Sequence, residues 1–320
     1  MIQELDRVLV VGLGLIGGSF ASGVKSRSLA KTVVGYDINE QECRLGVELN
    51  VIDEYGTDLL SEAAKADFIM LAVPVKATEA LLAQIFNVIK PTAIVSDVGS
   101  TKMNIIAAAG RVFGDLPHHF VPGHPIAGAE KSGVTAANKD LFDRHKVILT
   151  PLKTTDAESV KVVAYLWEAL GAEVLEMTPE RHDEVLAATS HLPHILAFSL
   201  VDTLAHEEQN KDIFRYAAGG FRDFTRIAAS DPVMWHDICH ANRDAILDQI
   251  DQFTQGLTQL RAAIDQGDSQ TLLGIFTRAR VAREFFSTLL TGTAYELKPV
   301  VQKEDNLLQK KEAGSCRPQS

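Results

Sequence analysis

Three glycines spaced as Gly12-Leu13-Gly14-Leu15-Ile16-Gly17 expose backbone N–H groups that could hold a phosphate. In such a G-x-G-x-x-G turn the first glycine permits the tight bend and the second lets a pyrophosphate approach the main chain. The third lets a helix pack closely on a strand. The match is weak by itself, but the run Arg7-Val8-Leu9-Val10-Val11 before it reads as a buried strand. The stretch Ile16 to Arg27 after it reads as a helix, whose free N-terminal N–H groups would carry the pyrophosphate. Asp37 ends the next strand, 20 residues beyond Gly17. A carboxylate there accepts hydrogen bonds from the adenosine ribose and repels a 2′-phosphate. Ile38, Asn39 and Glu40 follow it with no arginine, so NAD is expected rather than NADP. Leu15, Ile16, Val73 and Pro74 complete the expected cofactor contacts.

A second chemistry is that of a proton acceptor. His124 stands between Gly123 and Pro125, which hold its backbone and let the ring project. Histidine is the side chain best poised to take an alcohol proton near neutral pH. A loop histidine taken alone has a structural reading too. Two segments follow expected strand ends on the carboxyl side of the sheet, where open α/β folds bind ligands. They are Asp97-Val98-Gly99-Ser100-Thr101-Lys102 and the run from Gly123 to Gly133.

These residues need a frame, and the pattern supplies one. Thr32–Asp37, Asp67–Pro74, Ala93–Asp97, Phe120–Gly123, Lys146–Thr150 and Glu173–Met177 read as further strands. Glu40–Leu49, Lys76–Ile89 and Ala157–Leu170 read as helices between them. Near-continuous apolar strands alternating with helices predict a doubly wound, mostly parallel Rossmann sheet covered on both faces. The texture changes at Thr178-Pro179-Glu180, an N-cap followed by proline at the first helical position. Helical periodicity then runs to about Tyr295, as in the stripe Ile246, Ile250, Phe253, Leu257 and Leu260. The expected organisation is an α/β Rossmann domain over 1–178 and an all-helical substrate and dimerisation domain over 179–296. A disordered polar tail over 297–320 is expected to follow.

A net charge of -11 disfavours nucleic acid, which needs clustered cations. Cys43, Cys239 and Cys316 share no metal-like spacing and fit free thiols in a reducing cytoplasm. Acidic Glu4 and Asp6 stand where a signal peptide needs positive charge, and no apolar stretch approaches the ~20 residues of a membrane helix. A soluble cytoplasmic protein with no metal and no membrane partner is expected. His236-Asp237-Ile238-Cys239-His240 superficially resembles a helical zinc motif, yet has Asp where Glu is wanted and no evident third ligand.

Two more motifs make a resemblance specific: Ser190-His191-Leu192-Pro193-His194, and Gly219-Gly220-Phe221-Arg222-Asp223-Phe224-Thr225-Arg226-Ile227-Ala228. With the loops around Ser100 and His124, and in this order, they resemble the prephenate/arogenate dehydrogenase family from about residue 7 to 295. The resemblance implies oxidative decarboxylation with NAD, prephenate giving 4-hydroxyphenylpyruvate and arogenate giving tyrosine. It makes His124 the base on the ring hydroxyl, with Ser100 bridging that histidine and the nicotinamide side. His194 falls in the substrate pocket, whereas His191 is either a pocket residue or a packed core histidine. Arg226 is assigned to a substrate carboxylate because its planar fork binds one bidentately. Asp223 and Glu130 would form a charged rim that orders it, an Arg226–Asp223 pair being the bland alternative. Trp235 is expected to pack beside the pocket as a structural residue. The resemblance also implies a homodimer, and any inhibition by tyrosine would be competition in the same pocket.

Two rival readings remain at this level. A 3-hydroxyacid dehydrogenase would carry a catalytic lysine in the helical part. Lys211, alone between Glu180 and Tyr295, sits in a polar stretch that looks like a loop. A non-catalytic NAD-sensing regulator would have no use for His124, Ser100, His194 and Arg226 together.

Overall fold

A strand must be apolar wherever it is covered on both faces, and strand β1 (Leu5–Val11) meets that demand over Val8, Leu9, Val10 and Val11, all buried. The computed structural model describes residues 5–114, 117–128, 131–207 and 214–295. Glu130, Lys211, Cys316 and the expected tail over 297–320 therefore lie outside the described residues. Around β1 stand β2 (Ala30–Tyr36), β3 (Glu54–Tyr55), β4 (Phe68–Leu71), β5 (Ile94–Asp97) and β6 (Phe120–Val121). They form one sheet in the order β3-β2-β1-β4-β5-β6, with every pairing parallel. The helices between them are α1 (Leu15–Ser26), α2 (Glu40–Glu48), α3 (Leu59–Lys65), α4 (Thr78–Ile85) and α5 (Met103–Phe113). One face packs on Phe20, Phe142 and Trp167, the other on Leu59, Leu82, Ile105 and Phe120. The strand order reverses between β1 and β4, so a crevice opens beyond their carboxyl ends.

Two departures from the sequence reading matter. β3 and α3 were not anticipated, because two strand residues and a seven-residue helix carry too little period to read. The later strands also leave the main sheet. β7 (Gly123–Ile126), β8 (Lys146–Leu149) and β9 (Glu173–Glu176) make a separate three-stranded sheet, antiparallel between β7 and β8 and parallel between β8 and β9. Pro122, which has no N–H to give a ladder, separates β6 from β7 and turns the chain from one sheet into the other. Helix α6 (Ala157–Ala169) connects β8 to β9.

Thr178 caps α7 (Pro179–Leu186) by accepting from Arg181 N, with proline in the first turn as the sequence suggested. The helix continues through a π turn (Ala187–His191) into α8 (Leu192–Ala205), 27 residues in all. By length and composition this helix could cross a membrane, which corrects the expectation that no stretch comes close. The histidines, Asp183 and Pro193 within it interrupt the apolar run and disguise its length. Next come α9 (Gly219–Thr225), a 3-10 turn (Arg226–Ala229), α10 (Pro232–Ala241) and α11 (Arg243–Asp265). The last is α12 (Ser269–Leu289). By contacts the chain divides into one unit over Met1–Leu272 and another over Leu273–Ser320, with the division falling within α12.

Candidate functional site

The glycine turn joins β1 to α1. Gly12 holds φ at 95°, and a Cβ there would overlap the Ala72 carbonyl. A Cβ at Gly17 would strike the Gly12 carbonyl and the Ala72 side chain, so these glycines are needed for close approach of β1, α1 and β4. Gly14 differs, because nothing lies within 4 Å of where its Cβ would be. It is the N-cap of α1, makes no side-chain cap, and no acidic residue occupies the first turn. That open space over unpartnered helix N–H groups is a cradle for a diphosphate. Asp37 closes one side, its carboxylate accepting from Leu13 N at 2.8 Å and Asn39 N at 2.9 Å. Four lone-pair sites leave it capacity for a diol. Ile38 beside it is 96% exposed, which leaves the adenosine side open. Val73 and Pro74 follow β4 at the same end of the sheet. The residues present thus fit a dinucleotide without a 2′-phosphate.

His124 lies on β7, opposite Ile148 of β8, at the carboxyl side of the main sheet. The peptide that precedes it is held from both sides. Gly123 N donates to Asp97 Oδ1 at 3.2 Å, and Gly123 O accepts from Lys102 Nζ at 2.6 Å. Lys102 also pairs with Asp97, and both side chains are fully buried. Burial pulls the Lys102 pKa below its usual value against the pull of Asp97. A buried pair of this kind holds geometry more than it adds stability, but removing one partner typically costs about 3–5 kcal/mol.

The ring of His124 contacts a second histidine, Nδ1 lying 2.9 Å from Nε2 of His182 on α7. His182 Nδ1 lies in turn 2.8 Å from Asp183 Oδ1. Nε2 of His124 has no hydrogen-bond partner among the described residues. Part of the ring stays open, yet it is packed deeply enough that burial, helped by His182 and Lys102, holds its pKa well below 6.5. Ser100 is half-buried on the β5–α5 loop, and its hydroxyl does not bond His124 in this structure.

The remaining candidates come from the helical elements. His191 is buried, and Asn242 Nδ2 lies 3.2 Å from its Nδ1. Its Nε2 is buried without a partner among the described residues, and burial lowers its pKa to about 4. His194 gives its Nδ1–H to Ser190 O at 2.9 Å and stacks on Trp235 at 3.9 Å between ring centres. Burial lowers the His194 pKa, and the positive charge of Arg226 lowers it further. Arg226 opens the 3-10 turn after α9, and Asp223 pairs with Arg222 at 3.2 Å. Asp237 is engaged by Lys76 at 2.7 Å and by His236 at 2.9 Å, which accounts for the motif that resembled a zinc site.

The sequence reading missed His182 and Asp183, and it took Asp97 and Lys102 only as the ends of a segment, without a role. A signal existed, since Pro179, His182, Asp183 and Leu186 are the buried residues of α7 at i, i+3, i+4 and i+7 spacing. Two polar side chains on a core-facing stripe call for partners inside the fold.

With this geometry, comparison with known proteins is informative. Residues 20–176 match the family described as prephenate dehydrogenase, nucleotide-binding domain, and residues 178–278 match prephenate dehydrogenase, dimerization domain. The chain is 39% identical to prephenate dehydrogenase of Bacillus subtilis over 288 residues, covering 89% of this chain and 77% of that protein. It is 38% identical to cyclohexadienyl dehydrogenase of Zymomonas mobilis over 295 residues, covering 91% and 98%. Among solved structures it resembles prephenate dehydrogenase from A. aeolicus in complex with hydroxyphenyl propionate and NAD+. That match has a TM-score of 0.84 and 38% identity, covering 89% of this chain and 100% of the other.

Proposed function

The chain belongs to the prephenate dehydrogenase family, and we propose that His124, Ser100, His191, His194 and Arg226 form the site at which it works. It is an NAD-dependent enzyme that oxidatively decarboxylates prephenate in tyrosine biosynthesis. The observation that carries the site assignment is the Nε2 of His124, unpartnered among the described residues, at the same end of the sheet as the open cradle at Gly14. Held by Gly12, Leu15, Ile16, Gly17, Asp37, Val73 and Pro74, NAD+ supplies the hydride acceptor. His124 accepts the ring hydroxyl proton at Nε2, and its low pKa keeps it neutral and ready near pH 7. The departing CO2 leaves its bonding electrons to the ring, which becomes aromatic, so no residue has to stabilise a carbanion. Ser100 contacts the hydroxyl and nicotinamide side. Arg226 binds a carboxylate beside His194, and the unpartnered Nε2–H of His191 is the kind of donor that a substrate oxygen completes. Asp223, through Arg222, and Glu130 would form the charged rim.

This reading assigns cofactor binding to residues 1–178, and substrate binding with homodimer formation to 179–296. It takes Pro179–Ala205 as a helix of the protein interior and interface, because His182, Asp183 and His191 are buried in hydrogen-bonded contacts along it. A cytoplasmic enzyme, with tyrosine competing in the prephenate cleft, belongs to the same proposal. Absorbance at 340 nm with prephenate and NAD+ tests it. His124→Asn should lower kcat by about 10²–10⁴-fold with KM within a few-fold. The wild-type rate should fall as pH drops through the low His124 pKa, and the variant should lack that limb. A kcat like that of the wild type would remove His124 from the mechanism.

A further inference from the structure

We propose that His182 and Asp183 are positioning residues, a relay of hydrogen-bond polarity that fixes which nitrogen of His124 carries its proton. The inference rests on His124 being the base. The Asp183 carboxylate accepts from Lys102 N at 2.8 Å and Met103 N at 2.9 Å, where α5 begins. Burial would raise its pKa, but His182 and those two N–H groups outweigh it and hold it below 3.8. Asp183 is therefore an anion with nothing to donate. His182 Nδ1, 2.8 Å from Oδ1, must carry the proton of that bond.

A neutral imidazole has one N–H, so Nε2 of His182 is a bare acceptor. His182 is neutral because burial lowers its pKa despite the pull of Asp183. The 2.9 Å contact to His124 is then donated by Nδ1–H of His124. That leaves the Nε2 lone pair of His124 facing outward, in the tautomer that can take a hydroxyl proton. The opposite tautomer would present an N–H to the substrate and could accept nothing. As the proton moves from the hydroxyl oxygen to Nε2, the O–H electron pair stays on oxygen and the ring becomes an imidazolium. Its Nδ1–H then points along a chain ending in the negative charge of Asp183. Lys102 opposes that cation, and Asp97 offsets Lys102 through their ion pair. His191, whose pKa burial lowers to about 4, is neutral near pH 7 and adds no charge.

The chain also explains the conformation of the loop. Asp183 binds the start of α5 while Lys102, in that same start, grips the Gly123 carbonyl next to His124. Relay and clamp share residue 102, so the position of the ring and its tautomer are set together.

The test uses the full chain labelled with 15N-histidine, with the His124→Asn spectrum identifying the His124 signals. Wild-type His124 should carry its proton on Nδ1. His182→Phe keeps a ring and removes both nitrogens. It should lower kcat by about 10–100-fold with prephenate KM and NAD+ affinity within a few-fold, and should lose the Nδ1–H signature. His182→Gln, whose amide can both accept and donate, should recover part of kcat. Wild-type His124 protonated on Nε2 overturns the relay, and that measurement needs no variant to fold. Full kcat and an unchanged tautomer in His182→Phe also overturn it. An inactive His124→Asn beside a fully active His182→Phe would reject the relay and keep the base, whereas an active His124→Asn rejects both.

Discussion

The sheet-bearing part of the chain and the helices after residue 178 differ in what covers their apolar side chains. Val8, Leu9, Val10, Phe68, Ile69 and Met70 are fully buried by the helices of the same fold. On the 23-residue α11, by contrast, Ile246 and Ala263 alone are buried, while Phe253, Leu257 and Ile264 are 40%, 53% and 61% exposed. A parallel sheet wrapped by its own crossovers closes its core unaided. The long helix carries an apolar stripe that needs another surface, and it lies in the part of the chain that matches a dimerisation domain. One region is thus complete as a fold and the other is completed by association.

The sharpest way to break that contrast is to charge the stripe. Phe253→Glu with Leu257→Glu should weaken dimer formation by ~10³-fold or more, since burying each such side chain contributes roughly 1.5–3 kcal/mol. Sedimentation would follow the monomer, and NAD+ titration should show the cofactor half unaffected. A variant that stays fully dimeric would mean that another face does the pairing.

Next in size is the division of labour between the two regions. Arg226→Ala should raise KM for prephenate about 100-fold, in line with the roughly 1.5–3 kcal/mol of a lost hydrogen-bonded contact to a charged group. NAD+ affinity should hardly move, and Arg226→Lys should restore part of the loss because lysine lacks the planar fork. Equal weakening of both ligands would make Arg226 a structural ion-pair partner and turn attention to Arg222.

The smallest effect concerns the cradle alone. Asp37→Ser with Ile38→Arg should shift the ratio of specificity constants toward NADP by about tenfold, the value of one charge-assisted contact. An unchanged ratio would place the discriminating group elsewhere.

The same contrast separates what could be read in the sequence from what could not. Gly12, Gly14, Gly17 and Asp37 were legible because the cradle is local, built from one turn and the next strand end. His182 and Asp183 were not, because they reach His124 from 58 and 59 positions away through a helix whose polar residues look solvated in one dimension. The split into two sheets was hidden for a related reason. Strands on either side of Pro122 have the same apolar texture, and pairing partners are not written in local period. Arg226 and His194 were recognisable by motif, but the stacking of His194 on Trp235 depends on how α8 and α10 pack.

The π turn at Ala187–His191 has a consequence for angular phase. In an unbroken α-helix, eight residues would leave His191 about 80° around the axis from Asp183. A π turn absorbs one extra residue, and the offset falls to about 20°. Both then come within reach of a single amide, that of Asn242, which donates to Asp183 O at 2.8 Å and approaches His191 Nδ1 at 3.2 Å. The extra residue acts as a vernier between two lengths of one rod. Upstream of it the helix is dialled to His124, downstream to Trp235 and Arg226, and an unbroken α-helix of the same length would turn every later side chain by about 100° relative to the earlier ones.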